Sequence, residues 1–297
     1  MTTCEFGATQ LEVFDLQSIA LPTTRSDFAY DVDGNGTPEN QLGNIVGVLL
    51  TVGLDPQAEI DGAFLGGTIP TSLSLLTDPS LPASFGAIFG QSLPQHEQAV
   101  FCGSVADGRF STVDTSEEVE PGRLLLTLPF VEGISIHVVG AQLAFIRKSD
   151  VVTGQLHGAI PVSEMRSQVY PATARLMTKK LAGDPQSTFS RELASIYDTG
   201  GGDDESGCST SRDCGSTPVG SSSCRNPPPP VGDGHCADAC DHVIDPCEVE
   251  RNNITRNVTA ADVQLFTDDG TQFRPNPERT HKDSVSLGIA FTAKLRQ

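Results

Sequence analysis

The sequence predicts a mainly β fold, a β-sandwich of lectin or jelly-roll type with two or three packed helices and a disulfide-rich loop insertion. Three observations carry this reading. Apolar residues alternate at Ile134, Ile136 and Val138 and again at Val285, Leu287, Ile289 and Phe291, the pattern of half-buried strands. The 29 Gly and 20 Pro among 297 residues cut the chain into short segments. Helical periodicity is confined to a few stretches, each with its own start signal.

In chain order, Leu11, Val13 and the run to Ile19-Ala20-Leu21 read as strand, as does Phe28-Ala29-Tyr30, with Pro22 and an Asp/Gly/Asn cluster as boundaries. A helix is expected next. Thr37 suits the N-cap, Pro38 the first helical position, and Leu42, Ile45, Val46, Leu49 and Leu50 share one face. Ile60–Leu65 and Ser72–Leu76 return to strand. Residues 124–160 hold the strongest β signal, with a one-residue phase slip between Val138 and Val139 that suggests a bulge or a strand buried on both faces. Gln155–Ile160 adds another strand. Ser163 and Glu164 open a helix that reaches Val169 and resumes after Pro171 with Leu176, Met177 and Leu181 inward, and Ser190–Tyr197 is a further short helix. Asp245-Pro246-Cys247-Glu248 has the cap, proline and third-position acid of a helix start. Val263–Phe266, Asp269-Gly270 and Phe273 read as a hairpin, and Val285–Phe291 as the last strand.

The segment after residue 245 is too small to bury its own apolar faces. Residues 1–198 and 245–297 are therefore expected to form one β-rich domain, with 199–244 a Cys/Gly/Ser/Pro-rich acidic insertion. Cys208, Cys214, Cys224, Cys236, Cys240 and Cys247 fall within 40 residues rich in Ser, Gly, Pro and Asp, which points to disulfides and an oxidising compartment: extracellular, cell surface or periplasm. Cys4 and Cys102 could form a further pair. Met1-Thr2-Thr3-Cys4 shows no export signal, so export implies a signal missing from this sequence, and Cys4 could carry a lipid anchor in a longer precursor. The longest apolar tract, Leu124–Ile146, is broken by Pro129, Glu132 and His137, which excludes a transmembrane span.

With 38 Asp+Glu against 19 Lys+Arg the chain carries a formal charge of -19, which argues against nucleic acid and anionic membrane surfaces as partners. The excess is local. Residues 1–60 hold nine acids and one base, and residues 201–250 hold ten acids and two bases.

One constellation carries specific chemistry. In Asp31-Val32-Asp33-Gly34-Asn35-Gly36-Thr37-Pro38-Glu39, oxygen side chains stand at positions 1, 3 and 5, Gly at 6 and a carbonyl donor at 7. Calcium is a hard cation that takes six to eight oxygens, and such a loop can wrap it. The candidate ligands are Asp31, Asp33, Asn35, Thr37 and Glu39. Position 12 is Leu42 rather than a bidentate Glu, which excludes a full EF-hand. The competing reading is a bare turn, since Asp-Gly and Asn-Gly are turn formers in their own right.

The loop resembles the DxDxDGxxD calcium loops of dockerins, thrombospondin type 3 repeats and FG-GAP blades, with Glu39 where those have Asp. The longer run Tyr30–Asn44 is similar to a DxDGDGxxDNQLG box of secreted bacterial proteins and lipoproteins. The likeness extends to Gly154–Pro161 and Asp283–Ala293. It implies export and a single domain, and it brings no assigned activity with it.

Other signals are weaker. His235, Cys236, Cys240 and His242 lack zinc-site spacing, so disulfides are the better reading. GxSxG and HExxH are absent, His96-Glu97 lacks a second histidine, and Ser135 with His137 reads as a same-face strand pair. Asn253-Ile254-Thr255 and Asn257-Val258-Thr259 match glycosylation sequons. The expectation is an exported binding or structural protein with an unknown extracellular ligand and structural calcium. The alternative is a secreted hydrolase with paired carboxylates, glycoside-hydrolase-like. A dockerin-like assembly module would need a second copy of the loop, and the chain has one.

Overall fold

The structure, a computed structural model, describes residues 10–51, 53–66, 71–77, 84–91, 99–106, 109–112, 124–128, 134–197, 244, 246–266 and 282–296. Cys4, Cys208, Cys214, Cys224, Cys236 and Cys240, like the expected turn at Asp269-Gly270, lie outside these residues.

Among the described residues nine strands join one antiparallel sheet. They are β1 (Gln10–Ala20), β2 (Thr71–Thr77), β3 (Ser84–Gln91), β4 (Ala99–Ala106), β5 (Arg109–Thr112), β6 (Leu124–Leu128), β7 (Ile134–Lys148), β8 (Val151–Pro161) and β9 (Ser284–Leu295). The order is β5-β4-β3-β2-β1-β9-β8-β7-β6, and β5 also pairs with β7 from Arg109 to Ser111, so the sheet curls until its β5 edge meets β7. The mainly β class holds. The described strands join one curled sheet, in which β2 to β5 follow one another as neighbours and β2 continues onto β1.

β9 lies between β1 and β8, so the C-terminal strand is hydrogen-bonded into the middle of the sheet. The phase slip in β7 is a register shift between Val139 and Gln142 at Gly140, which has φ +59°. It changes which residues point inward, so Ile134, Ile136 and Val138 and then Ala141, Leu143 and Phe145 are all buried. The inner face carries Phe14, Leu73, Leu75, Phe101, Phe110, Phe145 and Phe291. At one end of this interior Glu12 and Arg147 form an ion pair, with the guanidinium also 5.4 Å from the Phe14 ring centre.

Helices cover the sheet at the other end. α1 (Gln41–Thr51) packs on β9, and α2 (Pro56–Leu65) on β1. Next come α3 (Val162–Glu164), a π-helical turn (Met165–Val169) and α4 (Tyr170–Gly183). They run continuously through Pro171, because the wider turn just before it accommodates the proline, which falls in the first turn of α4. α4 packs on α5 (Thr188–Tyr197) and α6 (Pro246–Arg251), and α7 (Asn253–Val258) on α1. Buried hydroxyl pairs Tyr170–Thr259 and Tyr197–Thr255 tie the C-terminal helices to α4 and α5.

Two expectations are corrected. Ile60–Leu65 is helix, not strand: Asp55 caps α2 by accepting from the Ala58 N–H, with Pro56 in the first turn. Phe28–Tyr30 is not a strand, and its only ladder contact is a bridge between Tyr30 and Glu39. The sequence predicts no strand between residues 77 and 122, where Gly and Pro recur, yet β3, β4 and β5 lie there.

Candidate functional site

The three stretches Tyr30–Asn44, Gly154–Pro161 and Asp283–Ala293 meet on the outer face of the sheet. Residues 156–160 of β8 and 284–289 of β9 are buried although only one of their faces points into the interior. The other is roofed by the acidic loop and by residues 262–266. Val32, at the second loop position, packs against Val139, Ala159, Val263 and Leu265 as a small separate core.

Polar contacts fix the roof to the strands. Asn40, fully buried, donates to the Gly288 carbonyl at 2.9 Å and accepts from its N–H at 3.0 Å, so one side chain serves both backbone groups of a β9 residue that lies beyond the last β1 partner, Ala290. Its amide also reaches the Asp27 carbonyl at 2.7 Å. A Cβ on Gly288 would lie 2.1 Å from the Phe28 oxygen, so only glycine admits this approach. Phe28 itself is held at φ +52°, a strained conformation for a bulky residue.

His157 stacks on Tyr30 at 4.7 Å and hydrogen-bonds the Phe28 carbonyl, while its Nδ1 has no partner. Burial disfavours the charged ring and brings its pKa down to about 4. The ring is therefore neutral at pH 7. Ser286 donates to Asp262 from its backbone N–H at 2.7 Å and from its hydroxyl, and the same hydroxyl accepts from the Gln41 N–H. Asp283 accepts from the N–H groups of Leu265 and Phe266.

In the loop, Gly34 and Gly36 sit at φ +76° and +84° and allow the tight wrap. Asp31 accepts from the N–H groups of Asn35 at 2.9 Å and Gly36 at 2.8 Å. Asp33 reaches the Asn35 N–H at 3.3 Å, so the two carboxylates converge on one amide. Its other oxygen takes the Lys282 ammonium at 2.9 Å. The Asn35 side-chain oxygen accepts from the Thr37 N–H. Glu39 faces Arg25, 3.9 Å away, and its Oε2 is buried without a partner. Burial, with Asp262 and Asp33 adding repulsion, pushes its carboxyl above the usual range. Asp262 is likewise pushed up by burial, against its Ser286 bonds.

The five sequence-derived ligands thus share one loop, but only Asp31 and Asp33 meet. Among the described residues no three acidic, His or Cys side chains converge as a ligand group. The donor set is all oxygen, which fits a hard cation, and the orphaned Glu39 oxygen is an acceptor with nothing to accept. Sequence reasoning missed Arg25, Lys282 and Asp262, which lie far apart in the chain. No spacing rule links them.

Of the other candidates, His137 bonds Glu164 at 2.9 Å and joins β7 to α3. Asn253 and Asn257 lie on α7. Comparison with protein-family models, with curated proteins and with solved structures found no match.

Proposed function

We propose that the chain is an exported binding or structural protein, acting outside the cell or at its surface, rather than a catalyst. The observation that carries this reading is how the polar groups under the roof are spent. Asn40, Asp262 and Asp283 each hold backbone or a neighbouring side chain in place, and the unpartnered Nδ1 of His157 is buried under the roof. A catalytic group needs a free, reachable atom facing a pocket. In this reading residues 199–244 are an acidic insertion stapled by disulfides, the features that suit an oxidising compartment.

Calcium belongs to the same proposal. Asp31, Asp33, Asn35, Thr37 and Glu39 would hold it, and the ion would relieve the repulsion between Asp33, Glu39 and Asp262. Its role would be structural, since the loop roofs the strands. At calcium a hundred times its Kd, linkage adds about 2.7 kcal/mol to stability. For a domain of this size that is a rise of about 5–10 °C in Tm. Melting curves with excess calcium and with chelator test this, and Asp31→Asn should abolish the difference. Identical Tm in calcium and chelator would show a bare turn whose charge is balanced by Lys282 and Arg25.

One observation favours the hydrolytic alternative: Glu39 and Asp262, both pushed upward in pKa, flank Arg25. Ser286 already occupies both oxygens of Asp262. A glycosidase screen of wild type against Glu39→Gln decides between the readings, and turnover lost in the variant would establish the hydrolase.

A further inference from the structure

Only part of the outer face is roofed. Beyond His157 and Gly288 no roof of described residues continues over the strands, and two cross-strand rungs run side by side over β5, β7, β8, β9 and β1. The first is Arg109, Ile146, Thr153, Thr292 and Ser18, and the second is Ser111, Ala144, Gln155, Ala290 and Ala20. Together they line an open recess of about 510 Å³. Binding sites for small ligands occupy roughly 300–1,000 Å³.

Between these rungs, on the inner face, lie Phe110, Phe145, Gly154, Phe291 and Ile19. A Cβ on Gly154 would lie 2.6 Å from the Phe291 ring, so β8 sits closer to the aromatic interior than any other residue would allow. On the outer side the floor is made of small side chains, and five hydrogen-bonding groups surround it: Ser18, Ser111, Thr153, Gln155 and Thr292. Among the described residues none of the five has a side-chain hydrogen-bond partner, and Arg109 has neither a hydrogen-bond nor an ion-pair partner.

The charge here runs against the whole molecule. The next rung on the same face carries Lys148 and Lys294, both exposed and without an ion-pair partner among the described residues. The acid beside them, Asp15, is taken by Arg296, and Asp150 lies at the hairpin tip. Three free cations thus edge a recess in a chain of net charge -19.

We propose that this recess binds an acidic carbohydrate, its hydroxyls bonding the Ser, Thr and Gln side chains and its carboxylate or sulfate pairing with Arg109. Hydroxyls donate and accept, so they match a polyol, and a guanidinium fork matches a carboxylate or sulfate. No aromatic face is offered for stacking, because Phe110, Phe145 and Phe291 all point inward and are buried. Recognition is therefore by hydrogen bonds and charge. The site is separate from the acidic loop and stands whether or not that loop holds calcium.

Isothermal titration of the full chain at low salt, about 50 mM, tests the site with three tetrasaccharides: uronate-containing hyaluronan, sulfated chondroitin and neutral cellotetraose. Both acidic sugars should bind saturably, and the neutral one at least about tenfold more weakly. Sulfated chondroitin keeps the uronate and adds a sulfate, so tighter binding of it than of hyaluronan assigns the Arg109 contact to sulfate, and equal binding assigns it to the carboxylate. Arg109→Gln, a surface change expected to leave Tm unaltered, should weaken acidic binding about tenfold. Ala290→Phe, which fills the floor, should abolish it. Equal binding of neutral and acidic sugars, no saturable binding of either acidic sugar, or unchanged affinity in both variants would overturn the proposal.

Discussion

His157 and Asn40 show what single side chains do under the roof. The neutral His157 ring is favoured by burial, so its folded pKa of about 4 lies below the unfolded value near 6.5. Its contribution to stability is complete above pH 6.5 and is lost as pH falls towards 4, because the unfolded chain takes up the proton first. The full effect is about 3 kcal/mol. Glu39 and Asp262, raised in the fold, act in the opposite sense. The comparison that isolates the histidine is urea unfolding of wild type and His157→Gln between pH 7 and 4: the wild type should lose more stability, and parallel profiles would contradict the assignment. Asn40→Ala should cost about 3 kcal/mol or more in the same assay at pH 7, since it leaves both the N–H and the carbonyl of Gly288 unpaired in a buried place. A loss below about 1 kcal/mol would mean that water replaces the amide.

At the level of elements, legibility followed periodicity. β7, β8 and β9 were read because Ile, Val, Leu and Phe alternate there, and even the bulge left its trace as a phase slip. α2 was misread because Ile60 and Leu65 look like strand residues out of context, although Asp55-Pro56 carried the start signal. β3 to β5 were missed because Gly86, Gly90 and Gly103 resemble turn residues, whereas Gly103 serves close approach: a Cβ there would meet the Ser111 carbonyl at 2.2 Å. The candidate loop residues stand out in the sequence because they alternate within nine positions, while their neighbours Arg25, Asp262 and Lys282 are brought there by tertiary pairing that no local pattern encodes. The Asn40-Gln41-Leu42-Gly43 run now has a physical reason at each position: Asn40 binds Gly288, Gln41 donates to the Val258 carbonyl, Leu42 packs against the core, and Gly43 lets α1 approach the backbone of Thr24. Gly43→Ala is the sharpest test at this scale. Its Cβ would lie 2.0 Å from the Thr24 oxygen, a backbone atom that cannot swing away. The expected cost is about 1–3 kcal/mol by thermal or urea unfolding, and a neutral result would show that the loop before α1 moves freely.

Among the described residues the shortest pairing in the sheet is where it closes. β8 and β9 pair from Val151 to Pro161, but β5 meets β7 only from Arg109 to Ser111. What holds this seam is Phe110, buried and stacked on Phe145 at 4.7 Å. Short pairing with little buried area opens at low free energy, well below global unfolding. Hydrogen exchange should therefore reach the amides of residues 109–112 long before those of 152–160 and 285–293. Phe110→Ala should widen that gap, since losing a buried ring costs about 3–5 kcal/mol. The recess lies across this seam, with Arg109 and Ser111 on β5 and the rest of its lining on β7, β8, β9 and β1. A ligand that pairs with Arg109 while bonding Thr153 or Gln155 must join both sides, so it favours the closed sheet by its own binding free energy. Bound acidic tetrasaccharide is accordingly expected to slow exchange at residues 109–112, leaving 285–293 unchanged. Uniform exchange along the sheet, or seam amides as protected as those of β9, would mean that closure is set by the whole sheet rather than by Phe110.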